Sequence, residues 1–485
     1  MRDQRRRLVL GLLCSVQFVL VLDVTIVAVA LPSIRDGLGF SAEGLQWVIS
    51  AYVLAFAGLL LLGGRAADLW GRRRLFLAGL ATFAAASGWC GLAGASWELV
   101  AARAVQGAGA AVAAPAALSL LTTTFAEGAA RERALGVWTA AAAGGGATGF
   151  LLGGVLTQAL GWRAVFLVNL PVGMLGLLLA PVLPAGRERQ ASRRLDLAGA
   201  VTLTGALSTL VYALSRIERA GLRPATWLPL AAAALLGAAF VARERRAAHP
   251  LVPLGALRVP GLAGASLVAM LLTAVTTPGA LFSILYLQDL LGYPPTLVGL
   301  TVAPFSVAVV AGSLAGARLA DVRRLGTRRA MAAGLLGVGL GAAALSTMRA
   351  SGGLPLVLVA GFVLSGAGLG VASVASTAAG TAAVPAAQQG LASGLLNTAA
   401  QVGTALGLAV LVTVASARAG ALTPPGASPP ASALVDGYRW AILAGLAVTL
   451  AAAGALAAGH PALPPRRRPV PAWRRGASAR GGPEG

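Results

Sequence analysis

Fourteen separate stretches of this chain are long enough and apolar enough to cross a bilayer, which leaves it very few ways to fold. They fall at roughly 8–31, 44–64, 75–94, 98–122, 134–158, 164–184, 197–215, 226–242, 262–288, 296–319, 329–348, 354–378, 391–416 and 438–459, each near the ~20 residues that a bilayer requires. Backbone polar groups in hydrocarbon must bond within their own segment, so stretches of this length span as helices. Composition agrees, at 57% hydrophobic and 11% charged residues, where a soluble domain carries about 25% charged. The fold class expected is an all-α integral membrane protein with 14 TM helices.

The net charge of +22 would point to nucleic acid in a soluble protein. Here all 38 basic residues are arginine, and their placement gives another account. With the N-terminus inside, 29 arginines lie in the N-tail, the even-numbered loops and the C-tail, eight lie in the odd-numbered loops, and one, Arg103, lies within a span. That asymmetry is the positive-inside pattern. Both termini are expected to be cytoplasmic, in a multi-pass cell-membrane protein with no nucleic-acid partner. The first span carries an acid and is about 24 residues long, so it reads as a retained helix rather than a cleaved signal. Cys14 and Cys90 cannot make a disulfide framework and read as buried thiols.

Two segments match each other. GRAADLWGRRR at 64–74 follows the second span, and GARLADVRRLGTRR at 316–329 follows the tenth. Both read Gly, small residues, Asp, then arginines, at a cytoplasmic turn between helices. Such duplication is a mark of secondary transporters that alternate access around a midplane site. The expected domains are a six-helix bundle at 1–184, two inserted helices with flanking loops at 185–261, a second six-helix bundle at 262–460 and a disordered basic tail at 461–485. Gly64 would permit a close helix exit and Gly71 a tight turn. Asp68 and Asp321 among Arg72, Arg73 and their neighbours would form a cytoplasmic latch between the halves.

Asp23 in the first span and Arg103 in the fourth are the charges near mid-membrane. An ionised side chain there costs about 2.5–3.5 kcal/mol on insertion scales, so it marks a functional site by default. Both fall roughly 9–12 Å below the outer surface at 1.5 Å per residue, so they can meet or share one cavity. A carboxylate protonated in one conformation and ionised in another is the minimum equipment for proton coupling. The alternative is an ion pair that only fixes packing, and such pairs stabilise poorly against apolar substitutes.

Gln17, Trp47, Tyr52, Gln106, Trp138, Phe282, Tyr286, Phe305, Asn397 and Gln401 lie near the same level and are candidates to line an apolar substrate cavity. Pro115, Pro278 and Pro304 are expected kinks, and Asn169 with Pro171 shapes the start of the sixth span. Spans seven and eight show no buried charge. An enzyme would need a catalytic cluster, but the two histidines, His249 and His460, lie in a loop and at a helix end. No GxxxxGK[ST] segment can occur without a lysine, so ATP is not the energy source. No metal site or cofactor is expected.

The loop at 64–74 resembles the signature loop between the second and third helices of the major facilitator superfamily. LDVTIVAVALPSI (22–34) resembles the first-helix motif of its fourteen-span drug:proton antiporter branch. LQWVISAYVLA (45–55), RAVQGAGAA (103–111), WRAVFLVNLPVG (162–173) and GLASGLLNTAAQVGTALG (390–407) are similar to the same branch in the same order. The resemblance implies the major facilitator fold, two six-helix bundles plus two inserted helices. It further implies a proton-coupled exporter of small amphiphilic drugs, acting as a monomer with Asp23 and Arg103 as the coupling residues. The alternative is dedicated export of a self-made metabolite. Three positions depart from the pattern. Ala28 stands where the first-helix motif has Asn, and Ala400 where the thirteenth span often has Arg. GGATGFLLGG (145–154) has Phe150 in the fifth-helix motif's proline position, while its glycines 145, 149, 153 and 154 keep close helix packing.

Overall fold

The computed structural model describes residues 2–125, 129–184, 197–220, 224–247, 255, 259–319, 326–350, 355–384, 389–424 and 427–458. All regular structure among them is helical. The first seven helices are α1 (Arg2–Leu38), α2 (Ala42–Trp70), α3 (Arg72–Leu92), α4 (Ser96–Thr124), α5 (Ala129–Leu160), α6 (Ala164–Leu167) and α7 (Asn169–Leu178). Next come α8 (Leu197–Ala220) and α9 (Pro224–Arg246). The last six are α10 (Pro260–Leu285), α11 (Pro295–Leu319), α12 (Thr327–Leu345), α13 (Pro355–Ala382), α14 (Gln389–Ala421) and α15 (Ala431–Ala458). Among the described residues ten helices are long and apolar enough to cross a membrane, and Gly44–Leu60, Ala164–Leu178 and Ala198–Ala213 are shorter apolar segments.

Packing repeats the sequence duplication. α1 packs on α5, α2 and α3 pack on α4, and α3 packs on α7. In the same way α10 packs on α14, α11 and α12 on α13, and α12 on α15. Between the two sets α5 meets α11 and α2 meets α14, contacts that the same correspondence exchanges. α8 rests on both α2 and α14, with α9 against α8.

Small residues make these contacts possible, because apolar side chains gain nothing from one another in lipid and helices associate by close backbone packing. A Cβ on Gly145, Gly149 or Gly153 would run into Phe18, Leu22, Thr25 or Ile26 of α1, and one on Gly154 into Pro295 and Thr296 of α11. α5 is one continuous helix through Phe150, which meets Phe305 edge-on with ring centroids 6.5 Å apart. Gly145→Val is expected to cost about 1–3 kcal/mol by overpacking. Gly136→Val on the same helix, where a Cβ meets nothing within 4 Å, supplies the control in a thermal melt in detergent.

Two local expectations need correction. α2 does not leave the bundle at Gly64 but runs on to Trp70, since 65–70 hold no Gly or Pro to break it; Gly63, not Gly64, makes the tight approach to α4, at Ala111. The turn falls at Gly71, whose φ of 100° suits a residue without a Cβ. α9 likewise continues past residue 242, and its Glu244 is buried at 4% exposure, so the inserted pair does carry a buried acid. The side chains of Arg65 and Asp68, and the whole of Asp321, lie outside the described residues.

Candidate functional site

The charged site is assembled by four helices and one helix break. α4 is wedged between two neighbours by glycines on two faces. A Cβ on Gly107 would strike the Tyr52 backbone of α2, and one on Gly109 the Phe83 backbone of α3. One turn before Gly107, Arg103 therefore lies along α2, where its Nε donates to the Val48 carbonyl at 2.9 Å. The guanidinium carbon sits 4.4 Å from the centre of the Tyr52 ring and 5.8 Å from that of Phe166, so two aromatic faces add cation–π attraction at a buried site.

Asp23 reaches the same point from α1, which the α5 glycines clamp over Phe18 to Ile26. Its Oδ2 accepts from Arg103 Nη1 at 2.6 Å, with side-chain exposures of 1% for Arg103 and 0% for Asp23. Its Oδ1 accepts from Gln106 Nε2 at 2.8 Å and from Asn169 Nδ2 at 2.7 Å. The two amide nitrogens and Gln106 Oε1 are themselves tied down. Gln106 Nε2 donates to Ser87 Oγ at 2.6 Å, Asn169 Nδ2 donates to the same oxygen at 3.2 Å, and Gln106 Oε1 accepts from Arg103 Nη1 at 2.6 Å and from Cys90 Sγ at 3.7 Å. A buried ion pair repays its desolvation only when the remaining donors and acceptors are used, and here three donors meet the carboxylate.

Asn169 enters because the chain breaks at Val168. α6 ends at Leu167 and α7 begins at Asn169, so Phe166 and Asn169 are delivered together to the Asp23–Arg103 pair. Trp162, edge-on to Phe166 at 6.2 Å, and Arg163, donating to the Ala93 carbonyl at 3.1 Å, hold the break in place.

The sequence reading brought Asp23 and Arg103 to one place, and the structure joins them directly. Several cavity candidates go elsewhere. Gln106 and Tyr52 are buried partners of the ion pair, and Asn169 is a ligand of Asp23 rather than only a helix-start residue. Ser87, which accepts from both amides, carries no signal in the sequence, being a lone serine in an apolar helix. Tyr286 is buried, with its hydroxyl donating to the Arg349 carbonyl at 2.9 Å, whereas Phe282, stacked on Tyr438 at 5.2 Å, does line a small pocket of the second half together with Phe305, Phe362 and Leu411. Trp47 faces sideways into a cavity of about 660 Å³ walled by α2, α4 and α8, with Ala51, Leu54, Ala104, Thr204 and Tyr212. Trp138 is buried in α5, Gln17 and Gln401 are half-buried, and Asn397 is exposed. Among the described residues no cluster of His, Cys, Asp or Glu could hold a metal ion.

Comparison with known proteins places this arrangement in context. The family model described as Major Facilitator Superfamily matches residues 13–408 and 262–479. The cephamycin export protein CmcT of Amycolatopsis lactamdurans is 41% identical over 460 residues, covering 94% of this chain and 92% of that protein. The puromycin resistance protein pur8 of Streptomyces alboniger is 40% identical over 456 residues, covering 92% and 90%. Among solved structures, a peptide transporter of the POT family in complex with sulfate superposes with a TM-score of 0.68 at 17% identity, covering 93% of this chain and 94% of that one. That last likeness speaks for the fold alone.

Proposed function

The chain belongs to the Major Facilitator Superfamily, and we propose that it exports small amphiphilic compounds of the antibiotic type across the cell membrane by alternating access. The export and resistance proteins it is similar to over nine-tenths of their length support efflux. The observation that carries the drive is the sealed Asp23–Arg103 pair. A titratable acid held by three donors can exchange a proton for a change in those contacts, so we assign the energy source to the proton gradient, with no cofactor.

The full membrane topology is part of this proposal. Adding the shorter segments of α2, α6–α7 and α8, and the 19-residue α12, to the ten longer spans gives fourteen crossings. The two bundles at 1–184 and 262–460 and the inserted pair between them follow, and the arginine distribution puts both termini in the cytoplasm. The end of the bundle that carries Leu38, Ser96 and Leu160 then faces outward. The latch reading of Gly71, Arg72 and Arg73 with Asp68 stands at the opposite, cytoplasmic end.

Charge selectivity tests the substrate side. A cation in a low-dielectric cavity needs an acid to offset it, and an unpaired charge there costs several kcal/mol. Asp23 is already shared with Arg103, while Asp289 and Asp436 pair with Arg35 and Arg418. Inverted vesicles with an imposed pH gradient are expected to accumulate neutral and monocationic dyes well and a permanent dication of similar size and lipophilicity poorly. Glu244 is buried on α9, in the inserted pair rather than beside Asp23, and equal accumulation of monocation and dication would mean that it or another acid reaches the substrate.

A further inference from the structure

One contact between the halves is ionic and lies far from the buried pair. Arg35, in the last turn of α1, meets Asp289 through two parallel hydrogen bonds, Nη1 to Oδ2 at 2.6 Å and Nη2 to Oδ1 at 3.0 Å. Arg35 Nε also donates to its neighbour Asp36 at 3.0 Å. Asp289 sits on a five-residue π-helical turn, Tyr286–Leu290, that ends α10. Such turns add a residue to the helix at a local cost and concentrate at functional sites. Tyr286 pins this one to the Arg349 backbone on its own half. Its other side is free to present two adjacent polar residues to α1. Gln288 Nε2 donates to the Val29 carbonyl at 2.8 Å, and Asp289 takes Arg35.

We propose that Arg35 and Asp289 are the outer gate of the transport cycle, an ion pair made while the outer face is closed and broken each time the cavity opens outward. The inference rests on the orientation and alternating access argued above. The pair is bidentate, which gives it a defined geometry. Side-chain exposures of 28% and 23% keep it weak enough to break on every turnover.

α1 also connects this gate to the buried acid. Asp23 and Arg35 lie on the same helix, about 18 Å apart at 1.5 Å per residue. Pro32 lies between them inside the helix and removes one backbone donor, so the segment beyond it can bend separately. Release of Asp23 from Arg103, Gln106 and Asn169 frees α1 from α4 and α7 while α5 still holds it, and the change is carried to its hydrogen-bonded contacts with the end of α10, at Val29 and Arg35. The geometry thus makes α1 the connecting rod between proton site and gate.

Two measurements on the full chain in proteoliposomes test the gate. Arg35→Glu and Asp289→Arg alone are each expected to lower gradient-driven export about fivefold, and the two together to recover at least about half the wild-type rate, as coupled neighbours do. Should either single change fail to fold, a second variant decides. Arg35→Cys with Asp289→Cys, in a chain whose Cys14 is replaced by Ala and whose fully buried Cys90 is kept, is bridged by a short bis-thiosulfonate reagent, with the Cys14→Ala chain alone as the reagent control. Bridging is expected to stop export and reduction to restore it. A bridged protein that exports at the unbridged rate, or a charge swap no better than the poorer single change, overturns the gate. Wild-type export that ignores the pH gradient would instead remove the proton drive, and is read separately from bridging.

Discussion

Asp23→Asn is expected to give a folded, membrane-inserted protein that has lost uphill export driven by a pH gradient. The substitution keeps the shape of the side chain. An amide oxygen can still accept from Gln106 Nε2 and Asn169 Nδ2, which now reach Asp23 Oδ1 at 2.8 and 2.7 Å. Arg103 keeps the Val48 carbonyl, Gln106 Oε1 and the Tyr52 face. What is removed is the capacity to gain and lose a proton together with the negative charge beside Arg103, so the variant is also expected to melt below the wild type. Downhill, exchange-type movement of substrate is expected to survive, because alternating access itself does not need the charge. Proteoliposomes with an imposed gradient make the comparison, and full gradient-driven export by the variant would end the coupling assignment.

The second large effect concerns the other partner. Arg103→Met strips the carboxylate of its countercharge while leaving it fully buried. Removing one member of a buried pair destabilises by about 3–5 kcal/mol, because the remaining charge is uncompensated. Asp23→Asn added to Arg103→Met leaves no charge, and an apolar side chain of similar length fills the space against Tyr52 and Phe166. The double variant is therefore expected to recover most of the lost stability while remaining inactive in gradient-driven export. Thermal unfolding of all four proteins in one detergent reads the coupling. A double variant as unstable as Arg103→Met alone would show that Arg103 acts through packing rather than charge.

Charge made the centre of this site legible in the sequence. A carboxylate and a guanidinium in apolar spans are costly enough to be conspicuous, and helix rise alone placed them at one depth. Their neutral partners were not legible to the same degree. Gln106 stood three residues from Arg103, but its direction depends on how far Gly107 and Gly109 draw α4 into its neighbours, which is a tertiary matter. Pro171 marks a helix start at Asn169, but nothing in the sequence shows that the Asn169 amide turns toward Asp23. The duplicated loops predicted two related halves, and the packing of α1–α7 and α10–α15 follows one pattern. Helix ends were read less well. Gly64 suggests a close helix exit, whereas α2 stays helical for six further residues.

The joint between α5 and α11 has a mechanical consequence. At its closest points the backbones of the two helices touch where Gly154 faces Pro295 and Thr296, and where Gly299 faces Phe150. Interdigitated side chains would act as teeth, and relative motion would have to lift each one over its neighbour or change its rotamer. Backbone lying against backbone has no teeth. The two halves can roll at these two glycines as on a plain bearing, and the Phe150–Phe305 ring pair is the side-chain contact on the same joint that motion has to shift. A bulky residue at either glycine would then act as a brake on turnover in protein that still reaches the membrane.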